Sequence, residues 1–183
     1  MTNLTWPEIV DTVVSGHPQG VSHILEAYGP DLVGYVRALA GDDSARFAMV
    51  LEDVLSDLLK QISASKSAKD PRRFVFDVAT TTVRRHHQWV FREESSRRSK
   101  EQSIARLESI GEPNVDQIQA AIARLAPEER ELLYLNLCQG FTLEDISDMC
   151  VISLSRLEDD LVGARQRFRY ALLALGGATG ASQ

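Results

Sequence analysis

The sequence predicts an all-α chain built as two small helical domains joined by a linker. Three observations carry that prediction. Apolar residues recur at three- and four-residue spacing along most of the chain. Helix-capping signatures are frequent, whereas alternating, strand-like stretches are scarce. A polar stretch ending in Gly111-Glu112-Pro113-Asn114 divides the chain. The domains are expected over 1–94 and 115–175, with the linker at 95–114 and a frayed tail at 176–183. A length of 183 residues suits one large domain or two small ones.

The elements follow in order. Thr5-Trp6-Pro7-Glu8 reads as a capping box, with Thr5 at the N-cap, Pro7 in the first turn and Glu8 at the third position. A second helix is expected over 19–28, stopped by Gly29-Pro30, and a third over 31–40 with Leu32, Val36 and Leu39 on one face. After the turn and cap Gly41-Asp42-Asp43-Ser44, a helix over 45–62 shows apolar residues at Val50, Val54 and Leu58 and again at Leu51, Leu55 and Ile62. A Ser/Ala/Lys loop covers 63–70, and Pro71 opens a helix that runs to about Arg92. Beyond the linker, four helical segments are expected at 115–125, 127–138, 142–149 and 153–175.

Composition narrows the function. With 44% hydrophobic and 25% charged residues the chain is globular in character. No stretch approaches eighteen uncharged apolar residues, so no membrane insertion is expected. The first eight residues lack the basic and apolar regions of a secretory leader. Two cysteines, Cys138 and Cys150, are too few for a disulfide scaffold, which points to a reducing cytoplasm. There is no Gly-rich phosphate loop, no Gly-x-Ser-x-Gly and no paired-cysteine metal motif, so the chain reads as a non-enzyme with no cofactor. Cys138, Cys150, His86 and His87 could together offer zinc ligands. The apolar contexts of the two cysteines favour buried small hydrophobes instead.

The net charge of −6 conceals a division. Between positions 71 and 100, eight basic residues (Arg72, Arg73, Arg84, Arg85, Arg92, Arg97, Arg98 and Lys100) face only Asp77, Glu93 and Glu94. The rest of the chain holds 12 basic and 23 acidic residues. One basic patch in an acidic chain suits a polyanion at that patch alone, and it equally suits a solvated helix face. In the second half, Thr142-Leu143-Glu144-Asp145 caps a short helix, Cys150-Val151-Ile152 makes a tight turn, and Ser153 caps a longer helix. That spacing fits a DNA-reading helix-turn-helix and also an αα-hairpin within a bundle.

Longer stretches carry a family resemblance. Ile118-Gln-Ala-Ala-Ile-Ala-Arg-Leu-Ala-Pro-Glu-Glu-Arg-Glu-Leu-Leu-Tyr-Leu followed by Gly140-Phe-Thr-Leu-Glu-Asp-Ile-Ser resembles the fourth domain of bacterial extracytoplasmic-function sigma factors. Tyr28-Gly-Pro-Asp-Leu-Val-Gly-Tyr-Val-Arg resembles the opening of their second domain. Leu51-Glu-Asp-Val-Leu-Ser-Asp-Leu-Leu resembles their polymerase-clamp helix, and Asp70-Pro-Arg-Arg-Phe-Val-Phe-Asp-Val-Ala resembles the start of the helix that melts and reads the −10 element. The ordered set covers about residues 5–172.

The resemblance implies a protein that binds core RNA polymerase and directs promoter recognition, with promoter DNA and an anti-sigma protein as further partners. It implies polymerase contact through Glu52, Asp53, Ser56 and Asp57, with Leu55 and Leu59 packing alongside. It implies −10 contact through Arg72, Arg73, Arg84, Arg85, His86, His87, Trp89 and Arg92, where cations meet phosphates and rings stack on bases. Phe74, Phe76 and Val78 are expected in the core. Helix-turn-helix contact would fall to Thr142, Ser153, Ser155, Arg156 and Arg165.

The sequence also departs from the family pattern. Ser56 stands where a glutamine is usual, Thr80-Thr81 where Arg-Asn is usual, and Arg85 where an aspartate is usual. Val151 occupies the turn position usually given to glycine, so either the turn changes shape or the following helix tilts. Glu158-Asp159-Asp160 replaces the usual cations of the recognition helix, and carboxylates oppose a phosphate-lined groove. The competing expectation is a sigma-derived module that works by protein–protein contact without −35 readout.

Overall fold

A computed structural model of the chain describes residues 5–40, 43–94 and 114–176, with the backbone alone at 87–94 and 176. Every regular element among the described residues is helical. The chain divides into two units, Met1–Gln88 and Trp89–Gln183. The expected linker at 95–114, apart from Asn114, which caps α5, and the tail beyond 176 lie outside the described residues.

The first unit begins with α1 (Trp6–Val14). The Glu8 carboxylate accepts from the backbone N–H of Thr5 at 2.7 Å and from its hydroxyl at 2.8 Å. Those two bonds hold the Glu8 carboxyl below its usual range. Next comes α2, a continuous helix over Gln19–Ala40. The stop expected at Gly29-Pro30 does not occur, and Pro30 lies inside the helix. An interior proline removes one backbone bond and costs about 3 kcal/mol. Ile24, Leu32, Tyr35, Val36 and Leu39 offset that cost, since they form one buried stripe that runs past the proline.

α3 (Ser44–Gln61) starts at Asp43, whose side chain accepts from the Arg46 amide, and a 3-10 turn at Ile62–Ser65 follows it. α4 covers Pro71–Glu94. The core joins Trp6 and Val10 of α1 to Val50, Val54 and Leu58 of α3 and to Val75, Phe76, Val78 and Val83 of α4. Phe76 and Val78 are thus core residues, as expected, and half-buried Phe74 sits 6.2 Å from the Trp6 ring. Two buried polar contacts cross this core: Trp6 Nε1 donates to the Ser65 carbonyl at 2.9 Å, and the Tyr35 and Thr80 hydroxyls meet at 3.1 Å. Thr80, at one of the departing positions, is therefore an interior hydrogen-bonding group, whereas Thr81 is exposed.

In the second unit, α5 (Val115–Ala123) is capped reciprocally by Asn114 and Gln117. α6 (Pro127–Leu133) does not continue regularly to 138, because its last turn, Tyr134–Cys138, widens to a π-helix. The Gln139 amide accordingly donates to the Tyr134 carbonyl, five residues back. The widened turn buries Leu135 and leaves Leu137 and Cys138 at the surface. The expectation that both cysteines are buried therefore holds for Cys150 and fails for Cys138.

α7 (Leu143–Cys150) and α8 (Leu154–Gly176) complete the unit. Between them Val151 adopts φ 53° and ψ 47°, the left-handed conformation. Its amide donates to the Asp148 carbonyl and the Ile152 amide to the Ser147 carbonyl, the bond pair of a Schellman ending with valine in the glycine position. The Ser147 hydroxyl also donates to the Ile152 carbonyl at 2.6 Å, bracing the strained residue from the other side. Valine thus occupies a left-handed position that glycine usually fills. No helix among the described residues is long and apolar enough to cross a membrane.

Two substitutions test this packing by urea unfolding. At Gly20, where α2 starts against α1, an added Cβ would lie 2.7 Å from the Val13 backbone nitrogen. Gly20→Ala is expected to lower stability by about 1–3 kcal/mol. Val151 is 91% exposed and buries nothing that truncation would lose. Val151→Gly is expected to raise stability by about 0.5–1 kcal/mol, the left-handed penalty minus the entropy of glycine.

Candidate functional site

The apolar stripe Val50-Val54-Leu58 turns α3 toward the core and so fixes what the rest of the helix presents. Asp53 and Asp57, one turn apart, fall on the flank that faces α4. Asp57 Oδ2 accepts from Thr82 Oγ1 at 3.0 Å and from Arg85 Nη2 at 2.7 Å, while Oδ1 accepts from Lys60 Nζ at 3.2 Å. Its side chain is only 14% exposed. The Arg85 guanidinium, aided by Thr82 and Lys60, lowers the Asp57 carboxyl from 3.8 to about 2. Asp53 Oδ2 lies 2.8 Å from His86 Nε2. Two groups expected to meet polymerase are thus bonded to two expected to meet DNA.

Glu52 is exposed and Ser56 half-buried, beside exposed Met49 and Leu59. Met49, Glu52, Ser56 and Leu59 follow at intervals of three, four and three residues and make the outward face of α3. Leu55 is half-buried at its margin. Met49 was absent from the expected set, although the same helical spacing would have found it.

On α4, Val75, Phe76, Val78, Ala79, Thr80, Thr82 and Val83 are buried. Arg73, Asp77, Thr81 and Arg84 occupy the opposite face, so one acid interrupts the cationic row. The Arg72 guanidinium lies 5.9 Å from the centre of the Phe76 ring, a cation–π contact. Arg85 remains 56% exposed beside Asp57. The side chains of His87, Trp89 and Arg92 lie outside the described ones.

In the second unit, Thr142 caps α7: its hydroxyl accepts from the Asp145 amide at 3.1 Å and donates to the carboxylate at 2.9 Å. Ser153 precedes α8, its carbonyl accepting from the Leu157 amide, and Ser155 is exposed in the first turn of the helix. Leu157, Leu161 and Ala164 bury one side of α8. The cations of α8 are largely committed within the unit. Arg156 pairs with Asp160 at 3.5 Å, Arg165 donates to Asn136 Oδ1 at 2.8 Å, and Arg167 pairs with Glu129. Glu158 and Asp159 stay exposed.

No family model matches the sequence, and no curated protein matches it. Solved structures do match. The chain is similar to the sigma factor RpoE of Bartonella quintana, solved in complex with the anti-sigma factor NepR, with a TM-score of 0.63 and 15% identity over 84% of this chain and 97% of that one. It is similar also to CnrH, solved in complex with the cytosolic domain of CnrY, with a TM-score of 0.61 and 14% identity over 92% of this chain and 97% of that one. The chain has an all-helical fold like that of extracytoplasmic-function sigma factors.

Asp57 yields a test by pH. A depressed carboxyl contributes stability in full above its ordinary value, and that contribution is lost as pH falls through the folded one. Asp57→Asn is expected to lower stability by about 1–2 kcal/mol at pH 7. The difference from wild type should shrink between about pH 4 and pH 2, where Asp57 finally protonates. Urea titrations read by Trp6 fluorescence, in a Trp89→Phe background, measure both ends of that window.

Proposed function

We propose that this protein is a sigma-like transcription factor. It docks on core RNA polymerase through the outward face of α3 and brings the cationic face of α4 to promoter DNA at the −10 element. Polymerase supplies the chemistry, the chain itself being no enzyme, and initiation takes place in the cytoplasm. The observation that carries this reading is the mixed apolar and acidic surface of Met49, Glu52, Ser56 and Leu59, in a unit whose α4 has half-buried Arg73 and Arg84 and exposed Arg85 on its polar side. An apolar patch edged by carboxylate suits a basic protein surface, because apolar contact supplies affinity and charge supplies orientation. The sigma factor RpoE is solved with an anti-sigma factor, and we assign an anti-sigma protein as a partner here by analogy.

A second reading keeps the docking and dispenses with −35 readout. It is favoured by α8, whose carboxylates at 158 and 159 stay exposed while Arg156, Arg165 and Arg167, though at the surface, contact Asp160, Asn136 and Glu129 and leave Arg169 as the other exposed cation of the helix. Such a surface repels duplex DNA.

Binding of the purified protein to core RNA polymerase tests the docking. Glu52→Arg with Leu59→Asp is expected to weaken that binding by tenfold or more and to leave helicity unchanged, both side chains being exposed. Wild-type protein that fails to bind core polymerase would sink the reading. Footprinting of a polymerase–promoter complex decides between the two readings: protection at −10 that weakens with Arg84→Glu, with none at −35, supports the second.

A further inference from the structure

We propose that the outward face of the first half of α8, together with Val151, is a docking surface for a cationic, amphipathic polypeptide segment of a partner protein. The inference rests on the reading in which the second unit works by protein contact.

Ser155, Glu158, Asp159 and Val162 recur at three- and four-residue spacing on the side of α8 opposite Leu157, Leu161 and Ala164. Val151 stands just before them. Val151 is 91% exposed and Val162 54%, with Leu154 also partly bare at the start of the helix. Two carboxylates therefore project among aliphatic side chains. Among the described residues no cation pairs with Glu158 or Asp159, while Arg156, Arg165 and Arg167 at the margins are held by Asp160, Asn136 and Glu129.

That combination selects the class of partner. Phosphate-bearing surfaces, nucleic acid or anionic lipid, meet the carboxylates unfavourably and gain nothing from the valines. A small cation would use the carboxylates but leave the apolar side chains in water. A segment with Lys or Arg beside Leu or Ile satisfies both: charge steers it in, and apolar contact with Val151 and Val162 retains it. Exposed charge pairs of this kind each contribute little, which sets a weak, reversible association.

The test uses the full chain and a fluorescent synthetic helix-forming peptide with Leu and Lys on adjacent faces, read by anisotropy at physiological salt. A second peptide of equal charge has Ser in place of Leu. Wild type is expected to bind the first at least fivefold more tightly than the second, with amide shifts concentrated in residues 151–166. Glu158→Gln with Asp159→Asn, and separately Val162→Ser, should each weaken binding about fivefold. Val151→Gly should do the same, and because that change relieves backbone strain its effect is not one of unfolding. Glu26→Gln on α2 serves as the control and should change nothing. Equal binding of the two peptides, an equal loss in the control, no binding, or a duplex DNA probe bound through this face would each overturn the proposal. Core polymerase binding through Glu52 and Leu59 is read in a separate assay, so failure here does not imply failure there.

Discussion

Asp57 governs the first unit, because its carboxylate is shared between two helices. Its Oδ2 takes hydrogen bonds from Thr82 and Arg85 of α4, and its Oδ1 takes one from Lys60 of its own helix. A carboxylate held in this way sets the rotation of α3 about its axis, in agreement with the buried stripe of Val50, Val54 and Leu58. Once that rotation is set, Glu52 must face solvent and Asp53 must reach His86. The same contact gives Arg85 a structural partner while leaving its side chain 56% exposed.

Much of the fold was legible because the decisive signals are local. Thr5 with Glu8 and Thr142 with Asp145 form caps within four residues, and apolar spacing identified the helices. Pro30 misled because its penalty is local, while the stripe that outweighs it extends from Ile24 to Leu39. Cys138 misled because a π-turn changes which side chains face inward, and nothing in its neighbours announces that widening. The site was half legible. A helical wheel separates Glu52 from Asp57 by their angle to Val54, but the partners of Asp57 lie about 25 residues away on another helix.

The second unit shows how a left-handed turn position can be held by a residue other than glycine. Left-handed valine is costly, yet the bond pair of the Schellman ending and the Ser147 hydroxyl both hold it in place. Packing of Ile146 and Met149 on α7 and of Leu157 and Leu161 on α8 then leaves little freedom for another turn. The packing of α7 on α8 is thereby separated from the surface chemistry that the two helices carry. The backbone here holds the turn, while the outward face of the first half of α8 carries Glu158 and Asp159 beside Val162 and its later turns expose Arg165, Arg167 and Arg169.

The bond from Trp6 to the Ser65 carbonyl has a consequence for biosynthesis. It links positions 59 residues apart, and Tyr35 waits a further 45 residues for Thr80. At about 5–20 residues per second, translation leaves α1 without its distant partner for about 3–12 s. During that interval Trp6, Ile9 and Val10 have α2 and the growing α3 for cover but not α4, so an apolar stretch of the nascent chain stays incompletely covered. The first unit can close its core only after Val83 of α4 has been added and has emerged.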